Sequence, residues 1–142
     1  MIRTATASDK DDVLLLIKEF SEIKTIGIKF DTEKVSKITN TCIDSDTVLV
    51  LEVEGRIVGA ACGMLFKSLM SEEIIYQDIY FYIQKPYLNY TKSMLHKIEG
   101  MCKEMGVDKI SMATMGNNPR LDKLYELLGY KILEKHFSKE IK

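Results

Sequence analysis

The sequence has few of the residues that build covalent or metal-bound frameworks. Its 142 residues include three cysteines, two histidines, two prolines and no tryptophan. An odd number of cysteines within apolar stretches is typical of buried free thiols and does not indicate a disulfide framework. His96 and His136 are far apart, and neither has ligand spacing with a cysteine or a carboxylate. We therefore expect no metal site, and the free thiols favour a cytoplasmic protein.

The chain also lacks an excess of charge and a long apolar run. The formal net charge is -1 and the pI is about 6.1, so nothing in the overall charge attracts nucleic acid or an anionic membrane. No apolar run approaches the ~20 residues that span a bilayer, and no basic, apolar leader follows Met1. We expect one domain over residues 1–142, with neither a nucleic-acid nor a membrane partner.

Glycine is missing from a long central stretch, between Gly63 and Gly100. Within it, the apolar and aromatic run Ile74–Ile83 predicts a buried strand. A helix that ends at Gly106 is predicted by apolar residues at helical spacing, namely Met94, Leu95, Ile98, Met101, Cys102 and Met105. The first amides of such a helix lack internal partners, so the junction can bind an anion such as a phosphate. The alternative is a plain connection that binds nothing.

The remaining patterns indicate a mixed α/β chain. Residues 47–53 and 56–66 are predicted as strands, joined by a two-residue turn at Glu54-Gly55. The segment Tyr130–Ile141 is predicted as a final β segment. The predicted order is β-α-α-β-β-β-α-β-α-β, an antiparallel meander followed by βαβ units, with helices flanking a central sheet.

In this order of elements, the chain resembles the GNAT superfamily of N-acetyltransferases, which use acetyl-coenzyme A (acetyl-CoA). The resemblance covers almost the whole chain and implies a GNAT-like α/β fold with a mixed, mostly antiparallel sheet. The hairpin Val48–Met64 is similar to the family's second hairpin, Ile74–Gly106 to its central strand and cofactor helix, and Phe137–Ile141 to its closing strand. The family pattern N-x-x-A-x-x-L-Y-x-x-x-G-F/Y is matched with leucine at the alanine position. The matching residues are Asn118, Leu121, Leu124, Tyr125, Gly129 and Tyr130.

The cofactor loop departs from the family pattern Gln/Arg-x-x-Gly-x-Gly/Ala, whose glycines let the backbone approach a pyrophosphate closely. The phosphate cradle is therefore either lost or rebuilt. A rebuilt cradle would be made of the amides of residues 89–93, assisted by the hydroxyls of Thr91 and Ser93 and by Lys92 as a point charge. The resemblance also implies a β-bulge on the central strand with a backbone amide that binds the thioester carbonyl, and we place both at residues 81–83. The cofactor-binding residues implied are Phe81, Tyr82, Ile83, Asn89, Tyr90, Thr91, Lys92, Ser93 and Asn118. The alternative is that Asn89 or Thr91 only caps the helix and that Lys92 is solvated.

The resemblance implies two catalytic residues. Tyr125 matches the tyrosine that gives a proton to the leaving thiolate, and its alternative is a tyrosine that only packs. Asp78 is the charged residue in the middle of the central strand, and a carboxylate there is costly unless it is paired or functional. It is the candidate general base, and the alternative is a structural aspartate bonded to a tyrosine. By alternation, it should share a face with Tyr76, Tyr80 and Tyr82.

The implied function is that of an N-acetyltransferase, which transfers an acetyl group from the co-substrate acetyl-CoA to a primary amine of a small molecule or protein. Because fold does not fix function, a second hypothesis is a catalytically inactive GNAT-fold binding protein that has lost acetyl-CoA binding. The loop without glycine motivates it. The acceptor walls would come from residues 21–30, 67–72 and the Lys135-His136 turn, the least patterned parts. A homodimer is left open.

Overall fold

The computed structural model describes residues 1–23 and 29–141. Over these residues the strands are β1 (Ile2–Thr4), β2 (Val48–Val53), β3 (Arg56–Lys67), β4 (Ile74–Ile83) and β5 (Lys109–Ser111). The helices are α1 (Lys10–Ser21), α2 (Thr32–Asp44), α3 (Thr91–Glu104) and α4 (Pro119–Leu127). None of these helices has the length and apolar character needed to cross a membrane. Residues 24–28, part of one predicted acceptor wall, lie outside the described residues.

The strands form one sheet in the order β1-β2-β3-β4-β5. All neighbours are antiparallel except β4 and β5, which are parallel, so the predicted mixed, mostly antiparallel sheet is confirmed. One face is covered by α1 and α2 and is called the α1 face; its core includes Val13 and Ile17. The other is covered by α3 and α4 and is called the α3 face; its core includes Leu95 and Ile98. The cysteines are buried free thiols, as expected.

A β-bulge interrupts β4 at Ile79. Its neighbours Asp78 and Tyr80 pair with consecutive residues of β3, Gly63 and Cys62, so Ile79 has no partner on that strand. An extra residue of this kind bends the strand and shifts the side chains that follow to the opposite face. The bulge therefore divides β4 into two halves with opposite orientation.

The two halves of β4 contribute to different cores. Tyr76, before the bulge, is buried in the core of the α3 face. Tyr80, after the bulge, is buried in the core of the α1 face, and Tyr82 packs against the same core. The prediction that these three tyrosines share one face with Asp78 is therefore wrong, because simple alternation holds only in a strand without an extra residue.

The position of the bulge also differs from the predicted one. Residues 81–83 keep regular pairing with β3, so the bulge predicted there is wrong. Gly63 lies opposite the actual bulge, and a Cβ atom at this position would overlap Cζ of the Tyr76 ring. The missing side chain makes room for the buried tyrosine ring beside Asp78, and this long-range contact is not visible in the pattern of β4 alone.

Residues 131–141 contain no strand, so the predicted closing β segment is wrong for this structure. All eleven residues are exposed; the exposed fraction of Ile132 is 74%, that of Leu133 is 75% and that of Phe137 is 94%. Ile132 and Leu133 are adjacent and would point to opposite faces of a strand. The segment therefore has no continuous apolar face to bury against the sheet.

Candidate active site

A cavity of about 660 Å³ opens where β4 and β5 separate. Because β5 pairs only with the start of β4, the β5-facing edge of residues 78–83 has no strand partner in the described part of the chain. Because alternate residues of a strand direct their N–H and C=O groups to the same edge, every second residue of this stretch has backbone groups without a strand partner there. The cavity is lined by Phe20 and Tyr82 on the α1 face and by Leu121 and Leu124 on the α3 face. It therefore connects the two faces of the sheet.

Asp78 lines this cavity with one oxygen unused. Its Oδ2 atom accepts a hydrogen bond from the Ala113 amide at 3.3 Å. Its Oδ1 atom is buried and has no hydrogen-bond partner among the described residues. Burial raises the pKa of the Asp78 carboxyl to about 7, and the Ala113 amide lowers it in part. A carboxylate with a free oxygen and such a pKa is suited to accept a proton near neutral pH.

Tyr125 is buried in the last turn of α4, with 8% of its surface exposed. Its hydroxyl donates to the Ala113 carbonyl at 3.2 Å, so Ala113 bonds to both Tyr125 and Asp78. Burial and then the Asp78 charge raise the Tyr125 pKa, which keeps the phenol protonated. The structure thus brings the two predicted catalytic residues to one alanine. Tyr125 is absent from the cavity wall, and its hydroxyl points to a carbonyl.

The start of α3 differs from the cradle of free amides expected from the sequence. A 3-10 turn over Lys85–Tyr90 runs directly into α3, and the Thr91 amide donates to the Leu88 carbonyl. The Thr91 hydroxyl donates to the same carbonyl at 2.7 Å. The backbone of this turn therefore takes up an amide that was expected to be free. No side chain caps α3, and its first turn has no acidic residue.

Most of the predicted cofactor-binding residues line the cavity: Phe81, Tyr82, Ile83, Asn89, Thr91, Lys92 and Asn118. Two do not. Tyr90 and Ser93 line a separate groove with Met1 and His96. Residues three apart share a face of a helical segment, so these two point together to a different side from Asn89 and Lys92. The Asn118 side-chain carbonyl accepts a hydrogen bond from the Leu121 amide and so caps α4.

Four cations line the cavity, and sequence reasoning found only Lys92. The other three are Lys85, Arg120 and Lys123. No ion pair engages any of these four side chains within the described ranges. The spacing of Arg120 and Lys123, three residues apart on α4, was the available signal, because it places them on one helix face. With these cations beside apolar walls, the cavity suits an anionic ligand that also has an apolar part.

The comparisons with known structures give many chains of the same fold. A predicted acetyltransferase from Clostridium acetobutylicum, solved with acetyl-CoA, is 13% identical and has a TM-score of 0.77, with 99% of this chain and 95% of that chain covered. A ribosomal-protein-alanine N-acetyltransferase from Brucella melitensis is 12% identical, with a TM-score of 0.74 and 99% of both chains covered. An aminoglycoside acetyltransferase from an uncultured soil metagenomic sample is 17% identical, with a TM-score of 0.75 and 100% of this chain and 96% of that chain covered.

At these identities, the structural likeness shows the fold alone. No match was found among curated protein sequences. The model of the Acetyltransferase (GNAT) family, however, matches residues 16–130, which include β2, β3, β4, β5 and all of α2, α3 and α4. The match covers well over half of the chain, and the chain therefore belongs to the acetyltransferase (GNAT) family.

Proposed function

We propose that this chain is a single GNAT domain over residues 1–142 that transfers an acetyl group from acetyl-CoA to a primary amine in the cytoplasm. Family membership supports acetyl transfer. The observation that carries the choice of an amine is the buried, unpartnered Oδ1 atom of Asp78 beside the cavity. An alkyl amine with a pKa of about 10 arrives as an ammonium ion and must lose a proton before it can attack.

Asp78 takes that proton on Oδ1, which is buried and which a small rotation of the side chain would bring to the cavity, while its Oδ2 atom accepts from Ala113. Acetyl-CoA supplies an acetyl group activated as a thioester. The C–N bond would form as the C–S bond breaks, and Tyr125 would give its proton to the departing sulfur after its hydroxyl turns away from the Ala113 carbonyl. The second proton of the attacking nitrogen, lost as the amide forms, then restores the Tyr125 phenol. Burial raises the pKa of the phenol, and it raises the pKa of the leaving thiol for the same reason. The difference between the two pKa values, which drives the proton transfer, is therefore little changed.

The four cations of the cavity fit the phosphate groups of acetyl-CoA. Lys85 lies in the turn before α3, Lys92 lies in the first turn of α3, and Arg120 and Lys123 lie in α4. Guanidinium and ammonium groups bind phosphates through charge-assisted hydrogen bonds. These side chains would replace the backbone cradle that the family builds with glycine. The open edge of residues 81–83 would offer its unpaired backbone N–H and C=O groups to the amide groups in the arm of the same ligand.

The alternative of a binding protein without acetyl-CoA is not favoured. Such a chain has no need for a cavity that connects the two faces of the sheet. It also gains nothing from a buried carboxylate oxygen without a partner, which costs free energy.

Titration calorimetry with acetyl-CoA, followed by a thiol-release assay with primary amines, tests the proposal. We expect acetyl-CoA to bind and amines to release free thiol. Asp78→Asn should keep acetyl-CoA binding but lose about 100-fold in kcat. The matched control Asp44→Asn, at an exposed site at the end of α2, should leave both unchanged. A protein that does not bind acetyl-CoA would overturn the proposal.

A further inference from the structure

The two ends of the cavity differ in chemical character. All four cations lie on segments of the α3 side, in the turn before α3, in α3 itself or in α4. The other end, toward α1, is lined by Phe20, Ile23 and the rings of Tyr80 and Tyr82. Asp78 lies on β4 immediately before the bulge that separates the two halves of the strand. We call the end toward α1 the aromatic end. If acetyl-CoA places its phosphates at the α3 end, the aromatic end is free for the second substrate.

The aromatic end presents ring surface with its polar atoms already bonded. The Tyr80 hydroxyl lies 2.9 Å from the Thr39 Oγ1 atom within the core. The Tyr82 ring stacks on Phe20 with ring centroids 4.9 Å apart. Burial and then the Glu19 carboxylate raise the pKa of Tyr82 to about 12, which keeps its hydroxyl neutral. These side chains therefore offer apolar contact to a ligand and carry no charge of their own, and the Glu19 carboxylate beside the Tyr82 hydroxyl does not line the cavity.

Asp78 is the one acidic residue that lines the cavity in the described part of the chain. The stretch 24–28, Lys-Thr-Ile-Gly-Ile, contains no carboxylate in its sequence. A single carboxylate matches a single ammonium group. A second ammonium on the same acceptor would meet only ring surface at this end, with no second carboxylate among the lining residues, which is costly in a partly dehydrated cavity.

We infer that the acceptor is a small primary monoamine with an aromatic or aliphatic apolar body, which packs against Phe20, Ile23 and Tyr82 while its amine reaches Asp78. This inference rests on the proposed acetyl transfer and narrows its substrate class. Diamines, polyamines and lysine-rich tails are disfavoured as acceptors, since the cavity wall lacks further carboxylates to hold their other ammonium groups.

The test compares amines that differ in one feature at a time, with acetyl-CoA binding measured first. Hexylamine and hexamethylenediamine have the same chain length, and only the second has another ammonium group. We expect kcat/KM for hexylamine and for phenethylamine to exceed that for hexamethylenediamine by about tenfold or more. A diamine that reacts as well as hexylamine in a protein that binds acetyl-CoA overturns the acceptor class alone. A protein that does not bind acetyl-CoA overturns the proposed function, and this inference with it.

Two variants locate the amine. Phe20→Ala should raise KM for phenethylamine about tenfold and leave kcat and acetyl-CoA affinity unchanged. The control Leu15→Ala, at an exposed site on the same helix, should leave all three quantities unchanged. Ile23→Glu, at a site that is 40% exposed, should raise kcat/KM for hexamethylenediamine relative to hexylamine. An unchanged ratio in this variant overturns the location. A peptide with an N-terminal phenylalanine that reacts about tenfold better than phenethylamine would overturn the small-molecule acceptor.

Discussion

Asp78 lies in surroundings that favour its neutral form. Burial raises its pKa in the folded protein to about 7, above the ordinary value of 3.8. The folded state therefore holds this proton over a pH range in which the unfolded chain has already lost it. The contribution of Asp78 to stability is fully present below about pH 4 and is lost as the pH rises through about 7. The same carboxyl becomes able to accept a proton from a substrate over the upper part of this range.

A pH profile of Asp78→Asn checks both consequences. In the wild-type protein, kcat/KM should rise through about pH 7 as the carboxylate forms, and this limb should be absent from the variant. The melting temperature of the variant should exceed that of the wild type at about pH 8 and match it at about pH 4. A wild-type profile that is flat between about pH 6 and 8 would contradict the role of Asp78 as the base.

Gly63 has a steric role that its sequence context does not reveal. A Cβ atom there would overlap the buried Tyr76 ring, whereas nothing lies within 4 Å of a Cβ atom at Gly100 on α3. We expect Gly63→Ala to destabilise the fold by about 1–3 kcal/mol, because the ring has no free space to enter. Gly100→Ala should instead stabilise it by about 0.5–1 kcal/mol through helix propensity. Urea unfolding measures both, and equal midpoints for the two variants would contradict the overlap.

At the scale of elements, Arg3 on β1 joins the residue that precedes α1 to the distant strand β2. Its guanidinium donates to both carboxylate oxygens of Asp9, at 2.7 and 2.9 Å, and to Glu52 at 3.0 Å. The Thr6 amide donates to the same Asp9 carboxylate at 2.8 Å. The cluster fixes the start of α1 against β1 and β2, and it therefore sets the position at which α1 crosses the α1 face toward Phe20.

This cluster should make the protein sensitive to acid. The hydrogen bonds from Arg3 lower the pKa of Asp9 to about 2, below the ordinary value of 3.8. The corresponding stability is present above about pH 4 and is lost as the pH falls through about 2. Asp9→Asn should lower the free energy of unfolding by about 2 kcal/mol at neutral pH and by less at about pH 3. Asp11→Asn, exposed in the first turn of α1, is the control and should change it by less than about 0.5 kcal/mol. Equal losses at both pH values would contradict the ion pair.

For the molecule as a whole, net charge and local charge differ. The net charge is -1, yet the cavity wall has four cations and one acidic residue. Counterions screen such a local field over about 8 Å at physiological ionic strength. The field therefore acts on a ligand at the cavity and has little influence elsewhere on the surface.

Acetyl-CoA affinity should accordingly depend on salt. We expect the dissociation constant to rise as KCl increases from about 50 to 300 mM, because the four cations lose part of their attraction for phosphate. The double variant Lys92→Gln, Arg120→Gln should bind more weakly and respond less to salt. Lys103→Gln, at the distal end of α3, should behave as the wild type. Calorimetry at several salt concentrations measures this, and an affinity independent of salt would contradict phosphate binding by side chains.

The sequence predicted the elements whose signals are local. The apolar run of β4, the spacing of α3 and the charged residue at position 78 are each visible within about ten residues. The bulge at Ile79 was not predicted, because it depends on Gly63 and Tyr76 meeting across two strands. Arg120 and Lys123 were missed because only the folded chain turns their helix face toward the cavity. The absent closing strand shows that apolar residues without regular spacing do not specify pairing.

The extra residue at Ile79 makes the length of β4 matter more than its composition. Removing one residue there would put the second half of the strand out of phase, so the Tyr80 hydroxyl would turn away from Thr39 and the Tyr82 ring away from Phe20. Every residue type could be retained, yet one wall of the cavity would be lost. Relatives in which this strand is shorter by a single position should therefore build their acceptor side from different residues.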